Sequence, residues 1–270
     1  FRGLVADALW LRSIHAKEQG SYFEMYQLAS WIVKLQPRFT LATAYLAWNM
    51  SYNVSVTFND FDDRWRWVQR GIELIRDEAL KYNPGDPDLF RELGWIYQHK
   101  LGQEMDDAHR YYKWQLASQM MEVFGEYPVD LEKWAETPQT TSELKKKHGE
   151  RVAAFLKFIR KKDLSLNKLA ADFRNRGGAF SEETAAKLQE LGIREEIERF
   201  LRVRWLKKTY KLDPVRMVEL NREYGNFDWR SPETHAIYWA SRGLDVAEGR
   251  LHRQCQRMIY QSLDAAFEGG

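Results

Sequence analysis

The amino-acid sequence predicts an all-α protein: a solenoid of helical hairpins carrying an inserted, charged helical lobe. Three observations lead there. Only seven prolines interrupt 270 residues rich in Leu, Ala, Glu, Lys, Gln and Arg, the better helix formers. No period-two alternation is sustained, so strands have no pattern to build on. Finally, Phe90-x2-Leu93-Gly94-x2-Tyr97 places a bulky aromatic, a Leu-Gly pair and a Tyr at the spacing of the first helix in a helix-turn-helix unit of about 34 residues, and Pro84 stands where the preceding unit should close.

That motif sets a register for the rest of the chain. With Pro37 as a closing proline, Ala6 to Gln19 and Tyr22 to Leu35 read as a first hairpin broken at Gly20, although Arg12 and Ser13 stand where Leu-Gly is expected. The next unit starts at Thr40, with Leu46-Ala47 in the Leu-Gly places. From Pro37 to Pro84 is 47 residues, 13 more than one unit, and the polar stretch Asn53 to Asp63 accounts for the excess as an inserted loop. Trp65, Val68, Ile72, Ile75, Ala79 and Tyr82 then recur at threes and fours, the stripe of one long helix. The third unit holds the motif, and its second helix carries Ala108 and Tyr112 and continues to about Phe124. Beyond Pro128 the pattern changes to charged helices: one with Val152, Phe155, Leu156 and Ile159, one opened by Ser181-Glu182-Glu183, and one from Ile197 to Leu212. Ser231-Pro232-Glu233 starts a last hairpin, broken at Gly243. The expected organisation is therefore hairpins over 1–127, a basic helical insertion over 128–213, and a C-terminal hairpin over 214–270 that completes the solenoid.

Composition excludes several classes of function. Cys255 is the only cysteine, so an intrachain disulfide framework and a cysteine zinc site are ruled out. No apolar run approaches the ~20 residues that span a bilayer. Gly177-Gly178 lacks the Lys-Ser/Thr of a phosphate loop, and neither Gly-x-Ser-x-Gly nor His-Glu-x-x-His occurs. The expectation is that the chain is not an enzyme, with no catalytic residues and no cofactor. The net charge of +2 is unevenly placed: Ser142 to Lys211 holds 19 Lys and Arg against 10 Asp and Glu, leaving −7 for the remainder.

The sequence offers three candidate sites. In the register above, Trp10 and Ile14, Trp48 and Tyr52, and Arg91, Trp95, Gln98 and His99 fall at positions that line the inner face of such a solenoid. Aromatic rings with a few polar groups grip a protein or peptide at small entropic cost; the competing expectation is that these rings pack as core. Secondly, Asp106 and His109 stand three apart on a helix, with Asp107 beside them and His99 across a turn, a spacing that lets them approach one cation; the alternative is a helix start with favourable acidic charge. No metal is expected there. Thirdly, Lys145-Lys146-Lys147, Arg160-Lys161-Lys162 and Arg202 to Lys208 could rest on an anionic membrane surface, against the alternative of a solvated face laced with intrahelical ion pairs. Nucleic acid is not an expected partner.

Four segments, Phe1 to Trp10, Asp63 to Leu74, Phe90 to Gly102 with Asp106-Asp107-Ala108-His109, and Asp228 to Ala236, together resemble a group of bacterial tetratricopeptide-repeat-like (TPR-like) proteins with an N-terminal membrane anchor. The resemblance extends over nearly the whole chain. It implies an exported, membrane-associated solenoid whose anchor precedes Phe1, and it implies no reaction. Relatives that capture acidic chaperone tails use a basic and amide cluster, whereas the corresponding places here are mostly apolar. The expected function is thus a non-catalytic protein-interaction or assembly module. The alternatives are a structural subunit of an envelope complex without a peptide groove, and a metal-binding enzyme.

Overall fold

The computed structural model describes residues 1–268 and is helical, with no strand among the described residues. The chain divides into two compact units, Phe1–Ala117 with the C-terminal stretch from Phe227, and Ser118–Asn226.

The first unit contains α1 (Arg2–Glu18), α2 (Tyr22–Leu35), α3 (Thr40–Trp48), α4 (Phe61–Glu73), α5 (Pro87–Trp95), the start of α6 (His109–Phe124), and two C-terminal helices. Their starts are written in the sequence. Asp60 accepts hydrogen bonds from the Asp62 and Asp63 N–H groups, and Asp86 from those of Asp88 and Leu89, with Pro87 at the first helical position. Each such cap contributes about 1 kcal/mol by satisfying N–H groups that the helix leaves unpaired.

Three of these helices do not end where their regular portion ends. After α3 the chain continues as a widened π turn, Asn49–Val54, and a tight turn, Ser55–Thr57; α4 continues through Leu74–Ala79 to Tyr82, and α5 through Ile96–Gly102. The excess before Pro84, expected as a loop over Asn53 to Asp63, is therefore mostly helix. Apolar Val54 and buried Ser55 hold it against α4, leaving only Phe58, Asn59 and Asp60 outside helical structure.

The centre of this unit is α13 (Pro232–Leu244), in which every residue from Pro232 to Ser241 is buried. It packs against α5 with its continuation and against α14 (Gly249–Glu268). Close approach to α5 depends on Gly94: a Cβ there would lie 2.7 Å from Met258 Sδ and 3.4 Å from the Ala236 carbonyl oxygen. Gly71 of α4 does the same against α3, where a Cβ would collide with Ser51 Oγ and lie 2.7 Å from the Ala47 carbonyl oxygen.

Within α13, His235 is fully buried. Its Nε2 lies 3.1 Å from the Trp229 carbonyl oxygen, and its ring sits 5.0 Å from that of Tyr97. Burial pushes the imidazole pKa down to about 4, against the carbonyl, which favours the charged form.

The second unit comprises the end of α6, α7 (Leu131–Ala135), α8 (Thr141–Lys161, kinked at Gly149), α9 (Leu166–Asn175), α10 (Glu182–Glu190), α11 (Arg194–Trp205, continued by Leu206–Tyr210) and α12 (Pro214–Tyr224). Its core draws on Phe155 and Ile159 of α8, Phe173 of α9, Leu188 of α10, and Phe200 and Leu201 of α11. Arg202 is pinned at 2.7 Å from Glu198, and it donates to the carbonyl oxygens of Glu122, Val123 and Gly178 at 2.9–3.1 Å. A buried guanidinium is tolerated because its donors are satisfied.

The edges of this unit differ from the expected insertion at 128–213. Helix α12, assigned by sequence to the C-terminal hairpin, packs on α7, and Arg222 bonds Glu132 at 2.8 Å, so the unit extends to Asn226. The basic segment lies inside it, with Lys162–Glu183, Arg176–Asp172 and Lys187–Glu190 pairs on its surface.

Gly71→Ala should lower stability by about 2 kcal/mol in chemical denaturation, since overpacking against backbone exceeds the ~1 kcal/mol gained in helix propensity. Gly94→Ala should cost less, because the flexible Met258 side chain can swing away. The sign for His235 comes from its lowered pKa: the unfolded chain takes up a proton below 6.5 that the folded chain refuses until about 4. Stability should therefore fall by about 3 kcal/mol over that window, and pH-dependent denaturation of His235→Phe should show a correspondingly shallower slope.

Candidate functional site

Seven residues were expected to line a partner-binding face: Trp10, Trp48, Tyr52, Arg91, Trp95, Gln98 and His99. Five of them fall on one continuous track of rings. Trp10 of α1 lies 5.6 Å from Tyr45 of α3, Tyr45 stacks on Trp48 at 6.2 Å, and Trp48 stacks on Tyr52 at 5.7 Å. Tyr52 then meets His99 at 5.7 Å, and His99 stacks on Trp95 at 4.5 Å with planes 16° apart. Tyr45 is exposed and the other rings are half-buried, so the track borders solvent along its length. Ring pairs of this kind contribute about 0.5–1.5 kcal/mol each beyond their buried area, and every ring is held by a neighbour.

The two π turns shape the far end of the track. Tyr52 lies on Asn49–Val54 and His99 on Ile96–Gly102, and the Tyr52 hydroxyl and His99 Nδ1 are both buried without a hydrogen-bond partner. Burial lowers the His99 pKa, with the neighbouring Lys100 charge adding to the effect, so this ring is neutral near pH 7. Burial, then the negative charge of Glu92, raises the pKa of the Tyr52 phenol. Glu92 is itself buried; desolvation raises its pKa, opposed by Arg91 at 2.7 Å.

Gln98 departs from the expected role. It is 6% exposed, and its amide nitrogen donates to the Met258 carbonyl oxygen at 3.2 Å and to Ser262 Oγ at 3.1 Å. It fastens α14 to α5. The amide reaches these groups because Gly94, with no Cβ, lets α14 approach α5 closely.

Arg91, Trp95 and Gln98 also border a cleft of about 450 Å³ whose other wall is α14, through Gln254, Arg257, Met258 and Gln261. Spacing within the expected repeats could not reveal this wall, because it is contributed from about 160 positions further along the chain. Tyr45, by contrast, was legible: Tyr45, Trp48 and Tyr52 stand at i, i+3 and i+7 on one helical face.

The second candidate cluster is differently occupied. The Asp106 carboxylate pairs with buried Lys100, receives Arg64 at 3.2 Å and the Ala108 N–H at 2.9 Å, and accepts the Tyr112 hydroxyl at 3.3 Å. His109 Nδ1 lies 2.8 Å from the Asp106 carbonyl oxygen, and His99 is turned to Trp95. Asp106 is thus a hub for cations, and among the described residues no three His, Cys, Asp or Glu side chains converge as a metal site. Burial alone would raise the Asp106 pKa, but the hydrogen bonds from Lys100 and the Ala108 N–H outweigh it and hold the carboxyl below its usual range. No helix among the described residues is long and apolar enough to cross a membrane.

Asp106→Asn should destabilise the protein by about 3–5 kcal/mol in urea titration, because it leaves Lys100 buried without its counter-charge; Asp107→Asn, at a side chain 71% exposed, should change stability by less than about 1 kcal/mol. The Asp106 contribution is present above the usual carboxylate pKa and is lost as pH falls through the depressed one, so the gap between wild type and Asp106→Asn should close in acid. Compared with protein-family models, with curated proteins and with solved structures, the chain finds no match in any of the three.

Proposed function

We propose that this chain is a non-catalytic protein-interaction or assembly module, built as a TPR-like array of helical hairpins and tethered at a bacterial membrane, that grips a protein or peptide partner through its track of rings. The observation that carries this reading is the unbroken succession Trp10, Tyr45, Trp48, Tyr52, His99 and Trp95, bordering solvent and fixed ring to ring. A pre-ordered aromatic surface loses little side-chain entropy when a partner covers it, which is why Trp and Tyr dominate the energetics of interfaces. The basic segment 142–211 would supply a second contact, to anionic lipid headgroups at the same membrane, each nearby charge contributing ~1 kcal/mol.

One observation favours a second reading, that of a structural subunit in a larger envelope complex. Leu4 and Leu11, seven apart on α1, are 73% and 67% exposed, and Phe1 is fully exposed beside them, an apolar stripe suited to burial against another subunit. Size-exclusion chromatography with light scattering separates the two: a stable monomer supports the module, and an obligate assembly supports the subunit.

The test of the first reading is Trp48→Ala combined with Trp95→Ala. Affinity capture from native membranes, read by mass spectrometry, should lose its specific partner with the double variant, while circular dichroism keeps the helical signal and the melting temperature falls only slightly. A double variant that unfolds would make these rings core and sink the reading.

A further inference from the structure

Helices α5 and α14, joined by Gln98, leave between them a cleft where the ring track meets cationic side chains. Arg91 and Arg257 stand on opposite walls, and Trp95 is shared by the cleft and the track. Arg257 is exposed and has no carboxylate partner among the described residues. Gln254 and Gln261 stand one turn to either side of it and present amides that can both donate and accept. Among the described residues no carboxylate lines this cleft. The nearest acids on α5 are Asp88 and Glu92, and Glu92 is tied to Arg91. On α14 the first half carries Arg250, His252, Arg253 and Arg257, while Asp264 lies beyond the cleft's last residue.

Resting on the interaction reading above, we infer that the partner segment is an extended peptide with an acidic side chain, whose carboxylate docks on Arg257 while flanking apolar or aromatic residues lie along the rings from Trp95 towards Trp48. Arg91, paired to Glu92 through Nη2, offers its remaining N–H groups from the opposite wall. Guanidinium groups match carboxylates in planar, two-pronged geometry, and amides of glutamine hydrogen-bond a peptide main chain without regard to its side chains. The cleft has the volume of a few side chains, which limits the charged contact to one or two residues and leaves the rings to supply most of the buried area. The two guanidinium groups come from helices distant in sequence, so the repeat register, which finds no basic cluster on the inner face, does not contain this site.

Panning a random displayed-peptide library on the whole protein and on Arg257→Glu tests the inference. Wild-type binders should be enriched in Asp or Glu next to aromatic or aliphatic residues, and a synthesised winner should lose about tenfold or more in affinity towards Arg257→Glu and weaken as salt is raised. Arg257 is on the surface, so the melting temperature of the variant should match that of wild type; Arg257→Lys should recover part of the affinity. Binders enriched in aromatic residues without acids, or binding unchanged by Arg257→Glu, would overturn the acidic-peptide inference and leave the ring-track reading standing. Recovery of no binders from either protein would count against both.

Discussion

The missing side chain at Gly94 lets α5 lie against both α13 and α14, and the candidate site exists because of that approach. With no Cβ to meet Met258 Sδ or the Ala236 carbonyl, α14 lies close enough for Gln98 to reach the Met258 carbonyl and Ser262, and it forms the second wall of the cleft. The same contact orients Trp95, which the helix presents one residue after the glycine. A residue that looks like a signature of repeat architecture thus sets the distance between α5 and the C-terminal pair, α13 and α14. Interiors packed to crystal-like density hold neighbouring helices through their contacts, so the geometry of the site follows from the packing, with the flexible Met258 side chain the one group free to give way at Gly94.

Buried polar groups carry a second layer of specificity. Arg202 in one unit, and Lys100 with Asp106 and His235 in the other, are costly to desolvate and persist only with hydrogen-bond partners. Arg202 ties the end of α6 and the Gly178 turn to α11; Lys100 and Asp106 tie the extension of α5 to the start of α6 and, through Arg64, to α4. These links join segments that apolar packing alone would allow to slide. The Tyr52 hydroxyl and His99 Nδ1 are exceptions on adjoining rings, and Ser51 Oγ, His235 Nδ1 and Trp239 Nε1 share their lack of a partner. Each buried polar atom of this kind costs about 1–3 kcal/mol.

Local chemistry was readable in the sequence and long-range geometry was not. Caps at Asp60, Asp86, Ser181 and Ser231 mark helix starts because the side chain bonds its own backbone within three residues, and nothing distant can change that. The all-helical class rests on such signals. The partners of Gln98 have no local signature, because its amide is taken up by Met258 and Ser262, about 160 positions further along the chain. The full burial of α13 has no local signature either: Pro232-Glu233-Thr234-His235 reads as an ordinary exposed start, yet Thr234 bonds the Asp228 carbonyl, His235 faces that of Trp229, and Glu233 lies 3.4 Å from Lys113. Helix α12 was assigned to the wrong side because its proline and acid resemble any helix start, and only its contact with α7 decides its unit.

Exposure, rather than the satisfaction of polar atoms, separates this row of aromatic residues from the core, since His235 Nδ1 and Trp239 Nε1 of buried α13 lack partners as well. In a core, Tyr and Trp usually bury their rings and satisfy their hydroxyl and N–H groups, as Tyr112 does with Asp106. Along the track the rings border solvent, Tyr45 is open, and at the far end two polar atoms are buried but unmatched. Core packing would favour removing such atoms, since Phe in place of Tyr52 would relieve the desolvation at almost no change in shape. The Tyr52 hydroxyl and His99 Nδ1 are closed to solvent, so their desolvation cost is borne whether or not the rings are covered. The half-burial of these rings, with Tyr45 open to solvent, sets the track apart from fully buried rings such as Tyr112, Trp229 and Tyr238, and the proposed contact surface rests on that exposure.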